Sequence, residues 1–210
     1  MRMRKKPNLI PRMEKVSSVL MKEPKLLKGK WLACFPGYEN LHVELGCGKG
    51  SFTCGIAKEE PNALLIAVER VPDAMVVAME RTCEMELDNV RYLDTDAVKL
   101  EELFDVGEID RIFINFCDPW PKKKQFKRRL TSPDFLKLYA KVLRKGGQIW
   151  FKTDNLPLFD WSVEQFSANG YTLSAITRDL HANGPVGIMT DYEKKFYSEG
   201  KPICRLVATL

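Results

Sequence analysis

The sequence predicts an α/β fold: one mostly parallel sheet of about seven strands, helices on both faces and a last antiparallel strand. Three observations predict it. Short apolar runs alternate with helical patterns from residue 41 onward. Glycines and acids collect where those runs end. The chain has 210 residues, 45% of them apolar, enough for one well-packed core and little more.

The elements follow in order. Residues 41–45 form a short apolar strand that ends in glycines, and 51–59 have helical character. A second strand, 63–68, leads to Glu69. Pro72 then suits an early helical position, where its missing N–H costs nothing, and 74–85 continue that helix. Residues 90–93 are a third strand, 98–103 a short helix and 111–116 a fourth strand. The helix 133–143 is ended by Lys145-Gly146-Gly147; strand 148–152 follows, then helix 157–168, stopped by Asn169-Gly170. Two extended segments, 171–176 and 203–209, close the chain around an irregular polar stretch. The leader 1–30 has prolines at 7, 11 and 24 and no sustained period, so it is expected to be a basic, partly flexible segment ahead of a single domain, 31–210.

Charge is unevenly placed. Residues 1–30 carry 10 Lys/Arg and 2 acids, residues 121–145 carry 10 and 1, and the remainder holds 13 and 25. Two basic segments on an acidic body suggest a nucleic-acid footprint or solvated lysine-rich tails. The apolar runs fall short of the roughly 18 residues that span a bilayer, and the start lacks the apolar core of a secretory signal, which points to the cytoplasm and away from membranes. Six cysteines without a C-x-x-C pair and two histidines favour reduced, structural thiols and no metal.

Gly46, Gly48 and Gly50 sit between the first strand and first helix, where bare backbone turns sharply and approaches a ligand. Glu69, 23 residues after Gly46, ends the second strand, placed to accept from both hydroxyls of a ribose. Together they indicate an adenosine-type cofactor. The third glycine comes one residue early for a dinucleotide fingerprint, and Glu44 just ahead of the turn would repel a pyrophosphate. It suits the sulfonium and amino groups of S-adenosylmethionine. Asp96, after the third strand, reads either as an acceptor for the adenine amine or as an anchor of its own loop.

The least ordinary stretch is Asn115-Phe116-Cys117-Asp118-Pro119-Trp120-Pro121, followed by a run of bases. Asp118, stiffened by two prolines, would face the donor methyl. Lys122, Lys123, Lys124, Lys127, Arg128 and Arg129 would hold phosphates. Trp120 either stacks on a base or caps the core edge. Asp154, after the fifth strand, and Glu193 are candidate acceptors for the N1 and N2 donors of guanine. Thr190 and Glu193 also have the spacing of a helix capping box.

On Glu44-Leu-Gly-Cys-Gly-Lys-Gly50, Asn115-Phe-Cys-Asp-Pro-Trp-Pro-Lys-Lys123 with Lys127-Arg-Arg-Leu130, Lys152-Thr-Asp154, Thr190-Asp-Tyr-Glu193 with Lys195-Phe196, and Gly200-Lys-Pro202, the chain resembles the bacterial tRNA (guanine-N7)-methyltransferase family over nearly its whole length. The resemblance implies a Rossmann-like class I methyltransferase that uses S-adenosylmethionine and no metal. Its substrate would be guanosine 46 in the variable loop of tRNA. It implies donor contacts from Glu44, Glu69, Asp96 and Asp118, and guanosine-side contacts from Lys122, Asp154, Thr190, Asp191 and Glu193. Lys124-Gln125 stands where the family often has Arg-His, and Asp191 where it often has Glu. The inventory suits the chemistry, since guanine N7 carries an in-plane lone pair and needs no base. An RNA-binding module without catalysis and an NAD-dependent oxidoreductase are the competing readings; neither a membrane nor an obligate protein partner is expected, and the chain would act as a monomer or homodimer.

Overall fold

The computed structural model describes residues 7–210. The chain opens with α1 (Leu9–Lys15) and a four-residue helix α2 (Trp31–Cys34). It then alternates through β1 (Asn40–Leu45), α3 (Ser51–Glu59), β2 (Ala63–Glu69), α4 (Pro72–Glu84), β3 (Val90–Asp94), α5 (Leu100–Leu103) and β4 (Ile109–Asn115). There follow α6 (Pro133–Val142), β5 (Leu143–Thr153), α7 (Leu156–Ala168), β6 (Thr172–Thr177), α8 (Asp191–Ser198) and β7 (Cys204–Thr209).

The seven strands form one sheet in the order β3-β2-β1-β4-β5-β7-β6. Pairings among β1 to β5 are parallel, and β7 runs antiparallel between β5 and β6. This is the mostly parallel, Rossmann-like sheet with a last antiparallel strand that the sequence predicts. The order reverses on either side of β1, so the crevice beyond the carboxyl ends of β1 and β4 is where ligands bind in such sheets.

Strand periodicity divides the core into two layers. Leu64, Ile66 and Val68 of β2 join Leu41, Val43 and Leu45 under α5, α6 and α7. Leu65 and Ala67 face the other way, onto Phe52 and Ile56 of α3 and Met75 and Met79 of α4. Every residue of β2 is buried, as expected of a parallel strand covered on both faces.

From residue 7 on, the leader is seated on this body. Arg12 of α1 makes a two-pronged pair with Glu80 of α4, at 2.5 and 2.7 Å. Val16 and Val19 are buried, Leu20 bridges Tyr92, and the Met21 N–H donates to the Tyr92 carbonyl at 3.0 Å. The leader thereby covers the open edge of β3, whose backbone groups otherwise lack partners. Residues 1–6 of the expected flexible segment lie outside the described residues.

Two elements depart from the expected boundaries. β5 starts at Leu143, because its ladder with β4 continues across an irregularity, Ile109 facing Leu143 and Arg111 facing Gln148, where Gly146 takes φ 75° and its N–H donates to the Leu210 carbonyl at 3.1 Å. The stretch expected to be irregular contains α8, opened by the Thr190 capping box. No helix among the described residues is long and apolar enough to cross a membrane.

Candidate active site

The glycine turn is tied down by N–H donation from Gly46 and Cys47 to the Val68 carbonyl, at 2.8 and 3.1 Å. Gly46 and Gly48 take φ of 77° and 57°, and a Cβ at either would meet open space, so backbone is presented to an approaching molecule. Gly50 answers a different need. At φ 75°, a Cβ there would lie 2.7 Å from that of Ala78, so bare backbone lets α3 pack against α4.

Glu69 organises the turn from below. One carboxylate oxygen accepts from the Gly48 N–H at 2.9 Å, the other from the Arg70 and Val71 N–H groups, both at 2.9 Å. Asp96 accepts from the Val98 N–H at 3.2 Å, anchoring its loop, and lies 3.4 Å from Arg70. Glu44 is 1% exposed; its carboxylate accepts from the Thr53 hydroxyl at 2.5 Å and the Asn115 amide at 3.2 Å. Burial pushes its carboxyl up to about 7, against the pull of those two hydrogen bonds and of Lys152. Thr53 carries no motif that would have singled it out, and Asn115, which opens the stretch singled out above, was given no role there.

Asp118 is exposed on the loop that leaves β4. The loop is bounded by two non-glycine residues in the left-handed region, Phe116 at φ 53° and Trp120 at φ 42°. Such strain persists where surrounding structure enforces it. The Phe116 N–H is held by the Lys152 carbonyl at 2.9 Å and the Trp120 end of the loop by Arg129, and the expectation that Arg129 faces RNA is corrected. It is 4% exposed, donates to the carbonyls of Pro119 (2.8 Å) and Trp120 (3.3 Å), and lies over the rings of Phe126 and Trp161. Lys122, Lys123, Lys124, Lys127 and Arg128 are at the surface, with Arg128 over the Trp120 ring.

At the end of β5 the chain directs Lys152 inward, 7% exposed, and Asp154 toward the Lys201 ammonium. Lys152 donates to Glu193 at 2.6 Å and to the Ile188 carbonyl at 2.9 Å. Glu193 is fully buried. It also bonds His181 Nε2 at 3.0 Å and accepts from the Thr190 N–H at 3.2 Å, while the Thr190 hydroxyl accepts from the Glu193 N–H at 3.0 Å. The Val186 N–H donates to His181 Nδ1 at 3.1 Å, which fixes the proton on Nε2. The expectation that Glu193 offers an open acceptor to a base is therefore corrected: its carboxylate is fully buried and engaged by Lys152, His181 and the Thr190 N–H. Sequence reasoning noted Lys152 only within its motif and gave His181 no role; the signal for the buried pair is a lysine closing the apolar run 149–151. Asp191 is exposed and lies 3.4 Å from Arg81 of α4.

The arrangement combines a glycine turn with open backbone, a buried carboxylate beneath it, an exposed acid on a rigid loop and an exposed basic run. It suits a cationic adenosine-type donor and a polyanion. No cluster of His, Cys, Asp and Glu that would hold a metal occurs among the described residues.

Residues 38–206 match a family described as putative methyltransferase. A tRNA (guanine-N(7)-)-methyltransferase of Listeria innocua is 43% identical over 209 residues, covering 99% of this chain and 98% of its own. Its namesake from Bacillus subtilis is 42% identical, covering 98% and 97%. Among solved structures, the 16S rRNA methyltransferase KamB superposes with a TM-score of 0.64 at 18% identity, covering 86% of this chain and 91% of its own, a likeness of fold alone.

Proposed function

Because the chain belongs to the tRNA (guanine-N(7)-)-methyltransferase family, we propose that it transfers the methyl group of S-adenosylmethionine to N7 of guanosine 46 in the variable loop of tRNA. The observation that carries this reading is the rigid Asp118 loop at the sheet's switch point, between the glycine turn and the surface run of Lys122, Lys123, Lys124, Lys127 and Arg128.

The residues fit the donor. Gly46, Gly48 and Gly50 shape the turn, Glu69 is placed for the ribose hydroxyls and Asp96 for the adenine. Glu44, buried beneath the turn, acts on the donor's positive charge through its field. When bound, the donor supplies an electrophilic methyl on a sulfonium sulfur, whose bonding pair stays on sulfur as N7 takes the methyl. N7 needs no deprotonation, so the protein's work is alignment. Asp118 is the residue that orients the two reactants. Lys122 and Asp154 line the guanosine side, and Thr190, Asp191 and Glu193 shape it through the capping box and the buried network beneath it. Reading N7 in a folded tRNA requires the nucleotide to leave its tertiary contacts.

In this reading, 31–210 is one donor-binding domain with 1–30 as its basic leader. The protein works in the cytoplasm on tRNA, as a monomer or homodimer without an obligate protein partner. The test is incubation with labelled donor and unmodified tRNA, followed by digestion to nucleosides. The label is expected in 7-methylguanosine; label in another nucleoside, or none, counts against the reading.

A further inference from the structure

Phe116, Phe196 and Tyr192 form a continuous aromatic face beside the Asp118 loop. The rings of Phe116 and Phe196 are 6.0 Å apart and tilted by 46°; those of Phe196 and Tyr192 are 6.5 Å apart and stacked within 27°. Phe116 is turned into this group by its left-handed backbone, two residues ahead of Asp118. That conformation is held by its surroundings, the Phe116 N–H donating to the Lys152 carbonyl at 2.9 Å. Phe116 and Phe196 are half-buried, and Tyr192, 55% exposed, carries the face out to solvent.

A cation already rests on it. The Lys201 ammonium lies 4.2 Å from the centre of the Phe196 ring and pairs with Asp154. Both partners are accessible, with side chains 42% and 25% exposed, so this contact exchanges readily. The reaction proposed above changes the charge of the base: a neutral guanine becomes a cationic 7-methylguanine, while the sulfonium becomes a neutral thioether. A ring face that attracts a cation binds the methylated base more strongly than the unmethylated one, and such a difference accelerates the transfer.

We propose that the Phe196 face, backed by Phe116 and Tyr192, is the surface on which the target guanine stacks, and that it stabilises the positive charge created by methylation at N7. Lys201 holds the place of that charge in the free protein. The entering base displaces its ammonium from the ring and from Asp154, leaving that carboxylate to accept from guanine N1 and N2. The inference rests on the reading that the substrate is guanine N7.

The test uses full-length protein in single-turnover methyl transfer at saturating tRNA and donor. Alongside it, the affinities for unmodified and 7-methylguanosine-containing tRNA are measured with S-adenosylhomocysteine present. Phe196→Leu is expected to slow transfer about tenfold and lose the preference for methylated tRNA, with donor binding and the KM for tRNA near wild type. Phe196→Tyr restores both, and Lys201→Met leaves the transfer step at least as fast as wild type. Wild-type transfer by Phe196→Leu overturns the proposal, as does a Lys201→Met defect as large as that of the leucine variant. If Phe196→Leu fails to bind donor, Phe116→Leu reads the same step without altering α8, and a wild-type rate there overturns it. Wild-type protein that forms no 7-methylguanosine sinks the function reading with the inference; wild-type protein that forms it, with indifferent Phe196 variants, sinks the inference alone.

Discussion

The Arg129 guanidinium donates from Nε to the Pro119 carbonyl at 2.8 Å while its plane lies over the Phe126 ring, 3.6 Å from its centre. A residue at the end of a basic run thus braces the loop that carries Asp118 from behind. Its planar fork reaches two carbonyls and stacks at once, which a lysine cannot do.

Arg129 and its basic neighbours should therefore separate in experiment. Arg129→Met leaves two carbonyls short of a donor and removes the stacked cation, a loss of about 2–4 kcal/mol in unfolding free energy. Methyl transfer should fall with it, and the salt dependence of tRNA binding should stay unchanged. Neutralising Lys123, Lys124, Lys127 or Arg128 should do the reverse, reducing the slope of log affinity against log salt by about 0.7–0.9 for each phosphate that is no longer neutralised. A reduced slope in Arg129→Met would contradict the assignment.

Glu44 is expected to couple pH to stability and, in the proposed reaction, to donor binding. Its carboxyl lies near 7 in the folded protein against an ordinary 4.5, so between those values the folded state holds more protons than the unfolded state. Its contribution to stability is thus greatest at low pH and declines as pH rises through that window, by about 3 kcal/mol in all. Glu44→Gln should match wild type near pH 4 and unfold at higher temperature at pH 8, while binding the donor more weakly. Because the donor's positive charge favours the ionised carboxylate, its binding near pH 7 should release protons, seen as a buffer-dependent heat in titration calorimetry. Proton uptake there would contradict this role for Glu44.

Much of the fold was legible because burial imposes a period. The alternation of β1, the continuous apolar run of β2 and the glycine turn between β1 and α3 can be read directly from the residues. What escaped were choices made by tertiary partners. α8 has little apolar surface of its own and is held by Glu193 meeting Lys152 and His181, residues 41 and 12 positions away. The placing of Glu44, Glu69 and the glycine turn at strand ends was legible because the apolar runs stop there. The inward turn of Arg129 was not, since a run of six bases reads alike whichever one finds aromatic partners.

Glu193 should behave as the centre of a buried network. Glu193→Ala leaves the Lys152 ammonium buried without its carboxylate, and should cost about 3–5 kcal/mol in stability, measured by denaturant unfolding. A variant that folds as stably as wild type, with loss only of guanosine recognition, would show instead that the carboxylate is free to contact the base.

Gly50→Ala should be far more damaging than Gly46→Ala. Both sit at positive φ, but only at position 50 does the added methyl strike another element, the backbone and side chain of Ala78. Lower thermal stability and weaker donor binding are expected for Gly50→Ala, whereas Gly46→Ala should show only the smaller stability loss of an L side chain at positive φ, together with its binding defect. Equal stability losses would contradict the packing role of Gly50.

The central claim is that N7 of the variable-loop guanosine accepts the methyl group on a site aligned by Asp118. The most direct measurement compares methyl transfer to unmodified tRNA with transfer to the same tRNA carrying 7-deazaguanosine at position 46, where carbon replaces the accepting nitrogen. The expected result is 7-methylguanosine from the first, strongly reduced by Asp118→Ala, and no incorporation into the second. Undiminished methylation of the 7-deaza tRNA would contradict the claim.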